Sequence, residues 1–121
     1  MTRLVLFVCP HGAAKSRMAA AFFDRVAPPG WVATSAGLEP GPELSPTAAR
    51  LLAGTEAEAL LDPAPPRAVA DVVAPIRVVG IDCSPGAATD RWDLGHQEFN
   101  AEMRDELRAR AEALAAELSD G

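Results

Sequence analysis

The sequence predicts an α/β protein: a small doubly wound four-stranded parallel sheet with helices on both faces. Three observations carry that expectation. The apolar run Leu4 to Val8, bounded by Pro and Gly punctuation, reads as a strand buried on both sides. Further apolar runs alternate with helix-patterned segments, the order that builds parallel βαβ units. Near the end, Phe99, Met103, Leu107, Ala111, Leu114 and Leu118 recur every three or four residues with Arg and Glu between them. That spacing marks an amphipathic helix lying on a sheet face.

Taken in order, strand one spans Leu4 to Val8 and a helix runs from Lys15 to Val26. Its stripe is Met18, Phe22 and Val26, widened by Ala19 and Phe23, and Pro28-Pro29-Gly30 ends it. Trp31 to Ala36 forms strand two, and Gly37 begins a turn. The loop from Glu39 to Leu44 leads to Ser45-Pro46, an N-cap followed by proline at the first helical position. The helix it opens runs through Ala48, Leu51 and Leu52 to Gly54. Thr55 and Glu58 have capping-box spacing, predicting a short helix to about Leu61. Asp62 to Pro66 is a breaker, and Arg67 to Ala74 is a short helix or turn. Ile76 to Ile81 is strand three, ending at Asp82-Cys83, and a short fourth strand fits around Arg91 to Leu94.

The 121 residues, 49% of them hydrophobic, suit one domain over 1–121 with a single core. Aromatics are few, so the core is expected to be Ala, Leu and Val with Phe7, Phe22, Phe23 and Phe99. A net charge of −6 argues against nucleic-acid binding but leaves room for a local positive cluster that takes a small anion. No stretch approaches a membrane span or a signal-peptide core, so a cytoplasmic location is expected and no membrane partner. The two cysteines match no zinc pattern, and no metal or other cofactor is expected.

Chemistry concentrates between strand one and the first helix. Ligands of doubly wound sheets bind beyond the carboxyl ends of the strands, and Cys9, Gly37 and Cys83 all fall there. The loop amides and the helix N-terminus converge on one point, suited to an anion. Nearby cations and a helix N-terminus favour the nucleophilic thiolate form of a cysteine so placed.

Cys9, then a loop, then a basic residue six positions on followed by Ser16, resembles the Cys-x5-Arg-Ser loop of low-molecular-weight protein tyrosine phosphatases. The arsenate reductases that share their fold carry the same loop. Met18-Ala19, Thr34-Ser35-Ala36-Gly37 and Trp92 also resemble that superfamily, and the likeness spans essentially the whole chain. Leu38-Glu39-Pro40 running to Leu44-Ser45-Pro46-Thr47-Ala48, with Cys83 after strand three, is closer to the arsenate-reductase branch.

The resemblance implies that Cys9 attacks a bound tetrahedral oxyanion, with Ser16 assisting the sulfur. Gly12, Ala13, Ala14 and Lys15 would surround the anion, joined by His11, which matches no family residue, and by Arg17 either as a stand-in for the family's arginine or as a merely solvated side chain. In an arsenate reductase a second thiol then releases arsenite. That thiol is Cys83, a low-molecular-weight thiol or a thioredoxin-like protein. In a phosphatase, water cleaves a phosphocysteine after an acid has protonated the leaving group.

The chain departs from the family at three places. Lys15 stands where the family has arginine, His11-Gly12 replaces Gly-Asn, and the Asp-Pro general acid is missing. Asp90, Asp93 or His96 are the alternatives for that proton. Asp90 also stands where a further redox cysteine is expected, which excludes a three-cysteine relay within one chain. Three readings follow: an arsenate-reductase-like thiol enzyme, a phosphatase acting on phosphomonoesters or phosphotyrosine, and a catalytically degenerate oxyanion- or phosphoprotein-binding module.

Overall fold

The computed structural model describes residues 2–95 and 98–119. Strands β1 (Arg3–Cys9), β2 (Trp31–Gly37), β3 (Arg77–Ile81) and β4 (Asp90–Trp92) form one sheet in the order β2-β1-β3-β4. Every pairing is parallel, and β1 sits in the middle with Cys9 opposite Gly37. The order reverses between β1 and β3, so the crevice of this sheet opens beyond Cys9 and Ile81.

Helix α1 (Lys15–Val26) begins without a side-chain cap, at Ala14. Helix α2 (Pro46–Leu52) has the cap read from sequence: Ser45 accepts the Thr47 amide, and Pro46 opens the first turn. Thr55 and Glu58 lead into a single 3-10 turn, Glu58–Leu60, rather than a longer helix. Helix α3 (Ala101–Ser119) starts behind Asn100, whose side-chain oxygen accepts the Met103 amide.

The helical cover of the sheet is uneven. Val5, Phe7 and Cys9 of β1 face a cluster built from all three α-helices, with Met18, Phe22, Phe23, Leu52, Met103 and Leu107 fully buried. Leu6 and Val8 point to the other face. There they join Ala36 and Val78 under the 3-10 turn Val69–Asp71 and the adjoining Val72. Burying one such Phe or Leu side chain contributes about 1.5–3 kcal/mol, so the first face carries most of the packing energy.

Two expected core positions are corrected. Val26 is 43% exposed, because Phe22 and Phe23 already fill the space between α1 and the sheet. Phe99 is 45% exposed and precedes the α3 cap instead of belonging to the helical stripe. Among the described residues no helix is long and apolar enough to cross a membrane.

Candidate active site

The segment from Cys9 to Lys15 leaves the central strand and turns into α1 around a concave loop. Its carbonyls all point outward into protein. Cys9 O accepts from Leu38 N, Pro10 O from Glu39 N, His11 O from Gly41 N and Ala13 O from Ser45 N. Ala14 O accepts the first helical amide, from Met18. Gly12 O accepts Arg17 Nε at 2.9 Å. Conversely, none of the amides from His11 to Ser16 donates to a protein acceptor among the described residues. A peptide plane with its C=O fixed outward turns its N–H the opposite way, so the amides of His11 to Lys15 face away from these bonds at the uncapped start of α1.

Two glycines make the turn sterically possible. Gly12 has φ +67°, the left-handed conformation that glycine adopts without penalty. A Cβ there would lie 2.6 Å from Gly37 N, and a Cβ on Gly37 would lie 2.4 Å from the His11 carbonyl carbon. The end of β2 therefore serves as the platform on which the loop is laid.

Cys9 lies at the floor, 4% exposed, with its Sγ 3.1 Å from Ser16 Oγ. A cavity of about 240 Å³ opens above it, lined by Pro10, His11, Ala13, Ala14, Lys15 and Phe99 among others. A second hollow of about 600 Å³ shares Pro10, Lys15 and Phe99 and extends toward Asp82, Arg91 and Asp93. No group of three or more His, Cys, Asp or Glu among the described residues is arranged to hold a metal ion.

The sequence-derived candidates divide into those the fold brings to this cavity and those it does not. Cys9, His11, Ala13, Ala14 and Lys15 line it, and Gly12 and Ser16 support it from within the loop. His11 is exposed, its ring Nδ1 3.2 Å from the Glu39 carbonyl oxygen.

Arg17 is a correction. It is 1% exposed and turns beneath the loop, where it holds Gly12 O and, at 2.7 Å, Asp62 O. It braces the loop from behind and does not reach into the cavity. Its Nη2 is buried without a hydrogen-bond partner, and burial pulls its pKa below the usual arginine value despite the opposing field of Asp62. Arg17→Met should therefore lower stability by about 2 kcal/mol, the scale of charged hydrogen bonds lost to two carbonyls. Urea unfolding checks this.

Asp90 is a second correction. It sits at the start of β4, away from the strand carboxyl ends, in a two-oxygen ion pair with Arg77. Opposite Val79 and held by Arg77, it lines neither the cavity over Cys9 nor the hollow beside it. Asp93 does line the second hollow, exposed and paired with Arg91 at 2.8 Å. His96, the third alternative, lies outside the described residues.

Cys83 is partly buried, bonded to Val8 O at 3.4 Å, and packs against the second sheet face, opposite the face to which Cys9 belongs. Burial, with the nearby Cys9, pushes its thiol pKa up.

Sequence reasoning missed Asp82. Its Oδ2 accepts from Lys15 Nζ at 2.5 Å, and its Oδ1 accepts the amides of Leu94 and Gly95 at 2.7 and 3.2 Å. The Lys15 ammonium also stands 5.5 Å from the centre of the Phe99 ring. The signal was present: Asp82 follows β3 directly, at the same carboxyl-end level as Cys9.

Burial raises the Asp82 carboxyl, but the bonds from Lys15 and the two amides outweigh it and hold its pKa below the usual 3.8. Its stabilising contribution is therefore complete above the unfolded value and lost as pH falls through the lower folded one. Asp82→Asn should flatten the acid side of a stability profile below about pH 4, read as urea midpoints against pH.

With this geometry fixed, likeness to solved structures decides the family. An arsenate reductase from Archaeoglobus fulgidus is 31% identical over 93% of this chain and 98% of that one, with a TM-score of 0.72. The chain belongs to the low-molecular-weight phosphatase and arsenate-reductase superfamily. A thioredoxin-dependent arsenate reductase from Corynebacterium glutamicum is 24% identical, covering 97% of this chain and 62% of that longer one, with a TM-score of 0.76. The YwlE arginine phosphatase from Geobacillus stearothermophilus is 21% identical over 98% and 94%, with a TM-score of 0.70. At these identities the last two likenesses show the fold alone. No family model and no curated protein sequence matches the chain. This member of the superfamily keeps the cysteine loop and replaces the arginine's planar fork with a lysine tied to Asp82.

Proposed function

We propose that this protein is an arsenate-reductase-like thiol enzyme, with Cys9 as nucleophile on a tetrahedral oxyanion. The observation that carries this reading is the loop's hydrogen bonding: six carbonyls fixed outward and the amides from His11 to Ser16 left without protein acceptors, around a cysteine at the floor. An oxyanion seated there is held by backbone donors and the α1 N-terminus, with Lys15 adding charge at the rim.

In the reaction, the Cys9 thiolate attacks pentavalent arsenic, and a protonated oxygen leaves as water. A second thiol then attacks the Cys9 sulfur. The sulfur–arsenic bond breaks, its electron pair leaves with trivalent arsenite, and a disulfide remains on Cys9. Ser16, 3.1 Å from the sulfur, supports the thiolate.

The second thiol enters from outside. Cys83 lies against the opposite sheet face with a raised thiol pKa, which disfavours the attacking thiolate. The cavity over Cys9, with the hollow that adjoins it at Pro10, Lys15 and Phe99, offers a low-molecular-weight thiol or a thioredoxin-like protein a side of approach. Arsenite release with an added thiol reductant should therefore survive Cys83→Ser within about threefold, a difference under 1 kcal/mol. A loss of two orders of magnitude would put Cys83 in the cycle and remove the external thiol.

The phosphatase reading has one observation in its favour: Asp93 lines the hollow that a leaving group would occupy. Its carboxyl group is engaged by Arg91 and not by the cavity over Cys9, and a missing general acid costs about 10²- to 10⁴-fold. Hydrolysis of an aryl phosphate that vanishes in Asp93→Asn would favour this reading over arsenate reduction.

A further inference from the structure

We propose that Asp82 is a specificity-determining residue of the anion site: its carboxylate competes with a bound oxyanion for the Lys15 ammonium. This rests on the reading that the Cys9 loop takes an oxyanion. Lys15 supplies the lone Lys or Arg side chain among the described residues that line the cavity over Cys9. That charge is already engaged, at 2.5 Å, by Asp82 Oδ2.

The pair is shielded, with side-chain exposures of 14% and 16%, so solvent weakens it less than a surface pair. Asp82 is also held in place. The Leu94 and Gly95 amides grip its other oxygen, and its backbone sits at φ +54°. The carboxylate therefore does not follow Lys15 if the lysine swings toward a ligand.

An arginine at position 15 would present five donors in a flat fork, enough to serve a carboxylate and an oxyanion together. An ammonium concentrates three donors at one point. The neighbouring carboxylate, Asp93, is answered by Arg91, so the charge opposing Asp82 comes from Lys15. An arriving oxyanion thus meets a rim neutralised from within. It gains Lys15 only by sharing or displacing Asp82, and the backbone amides supply most of the affinity. The enzyme is tuned to weak anion capture, set by one residue that never needs to touch the substrate.

The test measures how well inorganic phosphate protects Cys9 from alkylation by iodoacetamide, each variant referred to its own unprotected rate. Asp82→Asn keeps an oxygen for Leu94 and Gly95 while removing the competing charge. It should bind phosphate about five- to tenfold more tightly, the scale of one shielded ion pair. In a Lys15→Met background the same change should alter phosphate binding by less than about twofold. A purely structural role for Asp82 predicts weaker binding in both backgrounds and overturns the proposal. Equal gains in both overturn it too, since the carboxylate would then repel the anion directly. Protection of the parent protein with no gain in Asp82→Asn refutes the competition alone. No protection in any of the four proteins removes the oxyanion site and the proposal together.

Discussion

Gly37→Ala is expected to lower stability by about 2–3 kcal/mol and to abolish phosphate binding at the Cys9 loop. The added Cβ would lie 2.4 Å from the His11 carbonyl carbon and 2.6 Å from Gly12 N, both backbone atoms. Backbone does not rotate out of the way as a side-chain tip does. Either the loop lifts off β2 or β2 shifts against β1, where Gly37 pairs with Cys9. Lifting the loop breaks the bonds from Leu38, Glu39 and Gly41 that fix its carbonyls outward, and the amides then lose their common focus. Gly86 provides the control. A Cβ there meets nothing within 4 Å, so Gly86→Ala should stay within about 0.5 kcal/mol. Urea unfolding and phosphate protection of Cys9 read both variants, and unchanged binding in Gly37→Ala would contradict the close packing.

Cys9→Ser is expected to cut thiol-dependent arsenite release by about 10⁴-fold or more while leaving the loop able to bind phosphate. Losing a covalent nucleophile removes the route itself, which is why its cost exceeds that of any single oxyanion donor, about 10²- to 10³-fold. Binding survives because the donors belong to the backbone of residues 11–16, and the serine hydroxyl fits beside Ser16 in the space the sulfur leaves. The separation is diagnostic. Retained turnover would remove Cys9 as nucleophile. Loss of both turnover and phosphate binding would assign Cys9 to loop structure. Phosphate binding by titration calorimetry, beside arsenite release, distinguishes these results.

Both predictions depend on features of different visibility. The sheet was legible because β1 is buried on both faces, which forces a continuous apolar run, and because Pro28-Pro29-Gly30 and Asp62–Pro66 punctuate the chain. The Ser45-Pro46 helix start was legible because capping is local: the group that accepts and the amide that donates are two residues apart. Phe99 was misread because it continues the period of α3 while standing one residue before the Asn100 cap. Periodicity does not see where a helix begins.

The cysteine loop was also legible, since the spacing of Cys9, Lys15 and Ser16 is a covalent property of one short segment. What sequence could not give was where its charges go. Arg17 and Lys15 are two residues apart, and both were candidates to face an anion. The turn of α1 sends one under the loop to Gly12 O and the other to the rim. Asp82, Asp90 and Asp93 likewise look interchangeable along the chain. Yet β3 and β4 run parallel, so Asp90 falls at the far end with Arg77, Asp93 at the hollow, and Asp82 against Lys15.

The sequence by itself thus determined the fold class, the strand-loop-helix that holds Cys9, and the superfamily resemblance, because all three rest on local pattern and near-neighbour spacing. Tertiary structure alone decided which cation braces the loop, which carboxylate holds the other, and on which sheet face Cys83 lies. Those outcomes depend on contacts between residues far apart in the chain, 67 positions in the Lys15–Asp82 pair and 75 between Cys83 and Val8. Their energies arise only after the sheet has brought the carboxyl ends of its strands together.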